Sequence, residues 1–538
     1  MKLVALAALA ALALAAPAER TPSQAPRLLG LRVGNGSRPF AGDRRLLTTV
    51  SPNGDGFRDA AIVHFRLTAA ATVEVVAVET DQIRRGTPST KVIWSKRVRL
   101  SAGPHRLVWR PDRGTPERTY ILRLTVTGRS GRRRVYGAYR PGPHMRVDAP
   151  VVRVQGIEAA FRRHSYAPGE QADVSVSSDA RSLRFQVFAY SNLPHPTERD
   201  LKTRGEAMTP PVVLNWRTHR STPHRVRLVR AGEWPSGLYF LRITAGDGRV
   251  GYAPFILRPR RLGTHRVAVV LSTNTWQAYN FDDADGDGWG DSWYVSAEIS
   301  RIDLTRPYLD FGVPFRFKDW DLTFISWLNA TGRHVDFLSD DDLERIQSGD
   351  ALARTYDLIV FPGHEEYVTS RVYDALERYR DLGGNLMFLA ANNFFWKVRR
   401  SGSILTRVGL WRNLGRPESS LVGVQYVASD YGQRQGAYVV TGADEEPWLF
   451  DGTGLRNGDR FGTYGIEIDK RTRYSPRATR LLAEIPNLMG PGRSAQMTFY
   501  EERGAKVFAA GAINFAASAD QPVVSRLLSN LWDRLSRP

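Results

Sequence analysis

Arg266-Val267-Ala268-Val269-Val270-Leu271-Ser272-Thr273-Asn274-Thr275-Trp276-Gln277-Ala278-Tyr279-Asn280 is the stretch where the texture of this 538-residue chain changes. Residues 267–271 are an unbroken apolar run, the pattern of a strand buried on both faces. The polar segment behind them has the character of a loop at the carboxyl end of such a strand. Downstream, Val335-Asp336-Phe337-Leu338, Tyr356-Asp357-Leu358-Ile359-Val360-Phe361 and Asn385-Leu386-Met387-Phe388-Leu389 read as further strands. Between them lie a helix over Thr323 to Ala330 and one capped by Thr369 or Ser370, running to Leu382 and closed by Gly383-Gly384. Strands alternating with helices predict an α/β doubly wound parallel sheet over 264–538. Functional residues of such sheets lie just past the carboxyl ends of the strands.

Upstream of the basic linker Arg258, Arg260 and Arg261 the pattern is different. Ala71-Thr72-Val73-Glu74-Val75-Val76-Ala77-Val78 and Leu183-Arg184-Phe185-Gln186-Val187-Phe188-Ala189-Tyr190 alternate with period two, and turn residues recur every dozen positions. A weak repeat relates His105–Trp109, the Tyr120 strand and Arg134–Tyr136 to His224–Leu228, the Tyr239 strand and Arg249–Tyr252. These features predict two β-sandwich modules of the immunoglobulin-like type, over 28–146 and 150–260. Ser51-Pro52-Asn53-Gly54-Asp55-Gly56 resembles the opening of immunoglobulin-like domains of flagellar hook-capping and bacterial surface proteins. It reads first as a tight turn, and second as a calcium loop through Asn53, Asp55 and Asp59.

The formal charge of +20 suggests a nucleic-acid binder until it is divided. The first 263 residues hold 44 basic and 19 acidic residues and the remainder 31 and 36, so the basic excess lies wholly on the β modules. No reading helix and no aromatic–arginine RNA signature accompanies it, so nucleic acid is not the expected partner. Exposed arginines blunt strand edges; the alternative role is docking on an anionic cell-wall polymer. The chain has no cysteine, which excludes disulfides, thiolate metal sites and thiol nucleophiles. Met1-Lys2, an apolar run to Ala16 and Ala16-Pro17-Ala18 predict a secretory signal peptide over 1–18 and a secreted or wall-associated protein. That run is too short for a transmembrane anchor.

Three loops carry the candidate chemistry: the one after Leu271, Pro362-Gly363-His364-Glu365-Glu366-Tyr367, and Ala390-Ala391-Asn392-Asn393-Phe394-Phe395-Trp396. A histidine, carboxylates, tyrosines and asparagines at one sheet edge make a polar site. Taken singly, His364 reads first as a helix cap, and Trp276 or Trp396 as core; their shared placement after successive strands favours a site. Separately, Asp283, Asp285, Asp287 and Asp291 follow the D-x-D-x-D-G spacing of a calcium loop. A solvated acidic turn is the other reading, since Tyr294 stands where a bidentate acid is expected.

The ordered motifs TWQAYN (Thr275–Asn280), RPY (Arg306–Tyr308), GHEEY (Gly363–Tyr367) and GGNLMFLAANNFFW (Gly383–Trp396) resemble the C-terminal domain of the N,N-dimethylformamidase large (beta) subunit. The resemblance implies a class-I-glutaminase-like α/β fold, similar to the glutamine amidotransferases, and hydrolysis of a carbon–nitrogen bond. It implies iron held by Tyr279, Tyr308 and Glu366, with His364, Asn392 and Glu501 in the catalytic roles. The substrate expected is a small amide or a wall-derived compound. The contrasting expectation is a non-catalytic cell-surface or cell-wall glycan-binding protein, for which Trp276, Trp289, Trp293, Phe394, Phe395 and Trp396 would serve as stacking platforms.

Overall fold

The computed structural model describes residues 25–84, 87–138, 148–190, 205–296 and 298–537. The expected signal peptide lies outside them. The first module is a three-stranded sheet (Leu28–Gly34, Ala61–Leu67, Gly103–Trp109) facing a larger one built on Ala71–Arg84 and Thr119–Gly128. Alternation decides the facing side: Val73, Val75 and Ala77 are buried while Thr72 and Glu74 are half-exposed. The second module repeats the order. Glu158–Phe161, Gln171–Ser177 and His224–Arg230 face a sheet centred on Gly237–Ala245 and Ser182–Ala189.

The boundary between the modules differs from the one expected. Val151–Val154 pairs in parallel with Leu47–Val50, so it completes the first module instead of opening the second. Val250–Leu257 does the same in the second copy, pairing in parallel with Ser165–Tyr166. The Asn-Gly-Asp-Gly turn joins the modules. Asn53 Nδ2 donates to Asp179 and Asp247 at 3.2 Å each, Arg220 reaches Asp55 at 2.6 Å, and Phe57 is held between the Arg58 and Arg220 guanidinium groups.

The expected fold class is corrected in the C-terminal half. Strands hold 41% of the described residues and helices 16%. The main sheet has nine strands and is mixed, not doubly wound. Asp336–Ser339, Val267–Leu271, Leu358–Phe361, Asn385–Phe388 and Ala505–Ala509 run parallel. Ala495–Glu502, Arg480–Ile485, Gln435–Val440 and Arg460–Gly465 continue it antiparallel. Four other strands (Arg301–Asp303, Ile404–Leu410, Trp396–Ser401, Tyr367–Thr369) form a separate sheet. The physical reason is connectivity. Helical crossovers, the usual link between adjacent parallel strands, join the strands of this sheet only as far as Asn385–Phe388. Beyond it the chain advances mainly by hairpins. The helices at the site are also short, Thr273–Ala278 and Asp340–Arg345 having six residues each.

The second module is packed onto this half. Its Leu238 and Ile256 join the core formed by Val269, Phe337 and Val360. Gly312, at φ +89, lies so close to the Tyr252 carbonyl that a Cβ would stand 1.8 Å from its oxygen. Only glycine fits there.

Candidate functional site

Strand ends and the loops behind them converge at one edge of the main sheet. Helix Thr273–Ala278 starts on a borrowed cap, since Asp340 Oδ2 accepts from Asn274 N at 2.7 Å and from Thr273 Oγ1 at 3.1 Å. The GHEEY loop is tied to that helix and to the loop after Leu389. Glu366 N donates to Thr275 Oγ1 at 3.2 Å, Asn274 Nδ2 to Tyr367 O at 3.2 Å, and Phe394 N to Glu365 O at 2.7 Å.

These ties bring Tyr279, His364, Glu366 and Asn392 together, all buried. The Tyr279 hydroxyl donates to Glu366 Oε2. His364 Nε2 stands 3.8 Å from Glu366 Oε2 and 3.7 Å from Glu467 Oε2, and neither ring nitrogen has a hydrogen-bond partner among the described residues. Asn392 Nδ2 donates to Glu467 Oε2 at 2.8 Å, while its backbone N–H sits 2.9 Å from both carboxylate oxygens of Asp469. Burial pushes His364 down to about 3, so its ring is neutral at physiological pH. Burial raises the Glu366 and Glu467 carboxyls, Glu366 further through the charge of Glu467. Burial, then Glu366 and Glu467, hold the Tyr279 phenol well above its ordinary value.

The backbone is strained around this cluster. Asn392, Phe394 and Ile466 have φ of 57°, 60° and 68°. The left-handed region is costly for an aromatic residue and more so for a β-branched one. Phe394 is held there by packing against Phe361, Phe388 and Tyr373.

The remaining expected residues lie elsewhere. Tyr308 is buried beside Gln277, Arg306, Asp340 and Asp341, and the tyrosine ring packed on Tyr279 at 4.8 Å is Tyr294. Glu501 is exposed on the outer face of its strand, paired with Arg534 at 3.2 Å. The second carboxylate of the cluster is Glu467, on a strand that pairs with Gln425–Ser429. The acidic alternation Glu467-Ile468-Asp469 was the only sequence signal for it. Glu365 points away from the cluster, its carboxyl raised by burial and by neighbouring Asp340.

In the acidic loop, oxygens of Asp283, Asp285 and Asp287 lie within 4.8 Å of one another. Asp291 stands outside that triad, its Oδ2 accepting from Ala284 N at 3.0 Å. The loop is seated on the first module: Arg44 donates to the carbonyls of Asp285 and Gly286 at 2.8 and 2.9 Å, and Trp289 enters that module's core. Its far end reaches the candidate site, where Ser292 Oγ donates to the Tyr279 carbonyl at 3.1 Å.

Comparison with known proteins gives a family match described as N,N-dimethylformamidase beta subunit-like, C-terminal, over residues 209–408 and 400–526. It therefore starts inside the second β module. Among curated proteins, the N,N-dimethylformamidase beta subunit of Paracoccus aminophilus is 29% identical over 201 residues, 30% of this chain and 26% of the relative. That of Alcaligenes sp is 40% identical over 78 residues, 14% of this chain and 10% of the relative. The chain thus spans about a quarter of the first relative's length. A solved β-galactosidase from Bacillus circulans sp. alkalophilus is 15% identical, covering 50% of this chain and 31% of that one, at a TM-score of 0.29. That likeness is too low to assign a fold. The family match covers more than half of the sequence, and the chain belongs to the N,N-dimethylformamidase beta subunit-like family.

Proposed function

We propose that the protein is an exported, metal-dependent hydrolase of an amide carbon–nitrogen bond. The observation that carries the reading is the buried contact of Tyr279 with Glu366 beside His364, Glu467 and Asn392. Phenol and carboxylate oxygens in a dry setting are a hard donor set that suits a hard cation, iron in keeping with the family. Tyr279 and Glu366 would hold it, with Glu467 facing the same space. When bound, the metal would polarise the amide carbonyl and lower the pKa of a water molecule.

The protein groups divide the remaining work. His364, neutral and with both ring nitrogens unpaired among the described residues, is placed to accept a proton at Nε2, the atom nearest both carboxylates, and to return it in the next step. Asn392 Oδ1 is buried without a partner among the described residues and is available to the amine side of the substrate. Its Nδ2 positions Glu467. Absence of cysteine removes the thiol acyl route from consideration. Export is read from residues 1–18, and the amide substrate class from the relatives' names; a wall-derived amide is the variant that export adds.

Elemental analysis of the purified protein, with amine release measured on N,N-dimethylformamide and larger amides, tests the reading. Near-stoichiometric metal and turnover are expected; a metal-free, inactive protein that binds glycan fragments would overturn it.

A further inference from the structure

A cleft of about 780 Å³ separates the outer face of the second module's three-stranded sheet from the C-terminal half. Such a volume is typical of small-ligand sites. Ala160, Ser175 and Arg225 stand side by side across the sheet. Arg162 and Arg163 flank that row, and Thr305, Arg400 and Ser403 form the opposite wall. The carboxylates of the lining are already matched. Asp341 is bound by Arg400 at 2.5 Å, with His164 N–H 3.2 Å away, and Asp173 lies 3.8 Å from Arg227. Arg163 is shared with Glu170 at 3.3 Å. Arg162 and Arg225 are exposed and make no ion pair among the described residues. Positive charge is therefore left over in a concave, hydroxyl-bearing space, where guanidinium forks suit carboxylate or phosphate oxygens.

We propose that this inter-domain cleft is a second binding site, separate from the candidate active site, for a ligand bearing at least two carboxylate or phosphate groups. Arg162 and Arg225 supply the free charge, and Ser175 and Ser403 hydrogen-bond the intervening part of the ligand. A bound ligand spans the second module and the Arg400–Ser403 turn, and so bridges the two halves of the chain.

Titration calorimetry of the full chain with tripolyphosphate and with trigalacturonate tests this. Saturable one-to-one binding of one of them is expected, and the tighter of the two identifies phosphate or carboxylate as the group recognised. The R162Q/R225Q double variant should bind at least about tenfold more weakly with unchanged Tm. R32Q/R66Q, which removes two exposed arginines of the first module, should bind like the parent. Two results overturn the proposal: binding of neither probe, or equal weakening by both double variants, which marks diffuse attraction to the +20 chain.

Discussion

Tyr279 donates to Glu366 and burial raises both groups, so each holds the other in place, and both are the ligands of the proposed metal. Tyr279→Phe and Glu366→Gln should each lose metal by elemental analysis and lower kcat by about a hundredfold or more, the scale seen when a charge-stabilising group is removed. The two carboxylates Glu467 and Glu501 separate the site from its surroundings. Glu467→Gln removes the charge that Asn392 holds beside His364 and should reduce kcat strongly with the fold intact. Glu501→Gln breaks only an exposed pair worth about 0–1 kcal/mol and should leave amine release within about twofold of the parent. His364, Glu366 and Asn392 were legible in the sequence because each lies in the loop directly after a strand, and Tyr279 because it ends the short polar segment behind Leu271. Glu467 was not, since it arrives from a strand far downstream. Glu501 was misplaced by strand parity, its side chain pointing to the face opposite its buried neighbour Tyr500.

At the scale of elements, the acidic loop links the first module to the loop bearing Tyr279. Three aspartate oxygens within 4.8 Å repel unless a cation offsets them, and burial raises Asp283 well above the carboxylate range. Calcium added to chelated protein should raise Tm by about 5 °C at saturating metal, read by calorimetry, and Asp283→Asn should remove the response. Gly288 tests the seating of the loop: its φ is +94 and a Cβ would lie 2.5 Å from Ile121 Cγ1. Gly288→Ala should cost about 2–3 kcal/mol in chemical denaturation. The Gly-Asp spacing announced a turn, yet that its glycines are pressed against Leu47 and Ile121 depends on a module that precedes them by more than a hundred residues.

Across the whole molecule, charge works between units as well as on surfaces. Asp179 is fully buried and is met by Arg249 at 2.6 Å and Arg220 at 4.0 Å, with Asn53 of the first module bound to the same carboxylate. Arg249→Gln leaves that buried charge only Asn53 and the 4.0 Å contact of Arg220 and should destabilise the module pair by about 3 kcal/mol, measured by urea unfolding and by earlier proteolysis between the modules. The same contacts explain why the Asn-Gly-Asp-Gly turn serves as a clip. Its carboxylates and amides are taken up by backbone N–H groups, Arg220 and the neighbouring module.

The sequence by itself determined the individual strands and caps of the C-terminal half as far as Asn385–Phe388, the repeat of the β modules, and the residues of the GHEEY and AANN loops. Each is written in local periodicity or in a turn a few residues long. Only the tertiary structure decided that the sheet is mixed, that Val151–Val154 belongs to the first module, and that Glu467 rather than Glu501 completes the cluster. Those outcomes depend on which distant strands pair, and pairing is set by packing between segments that no local pattern connects.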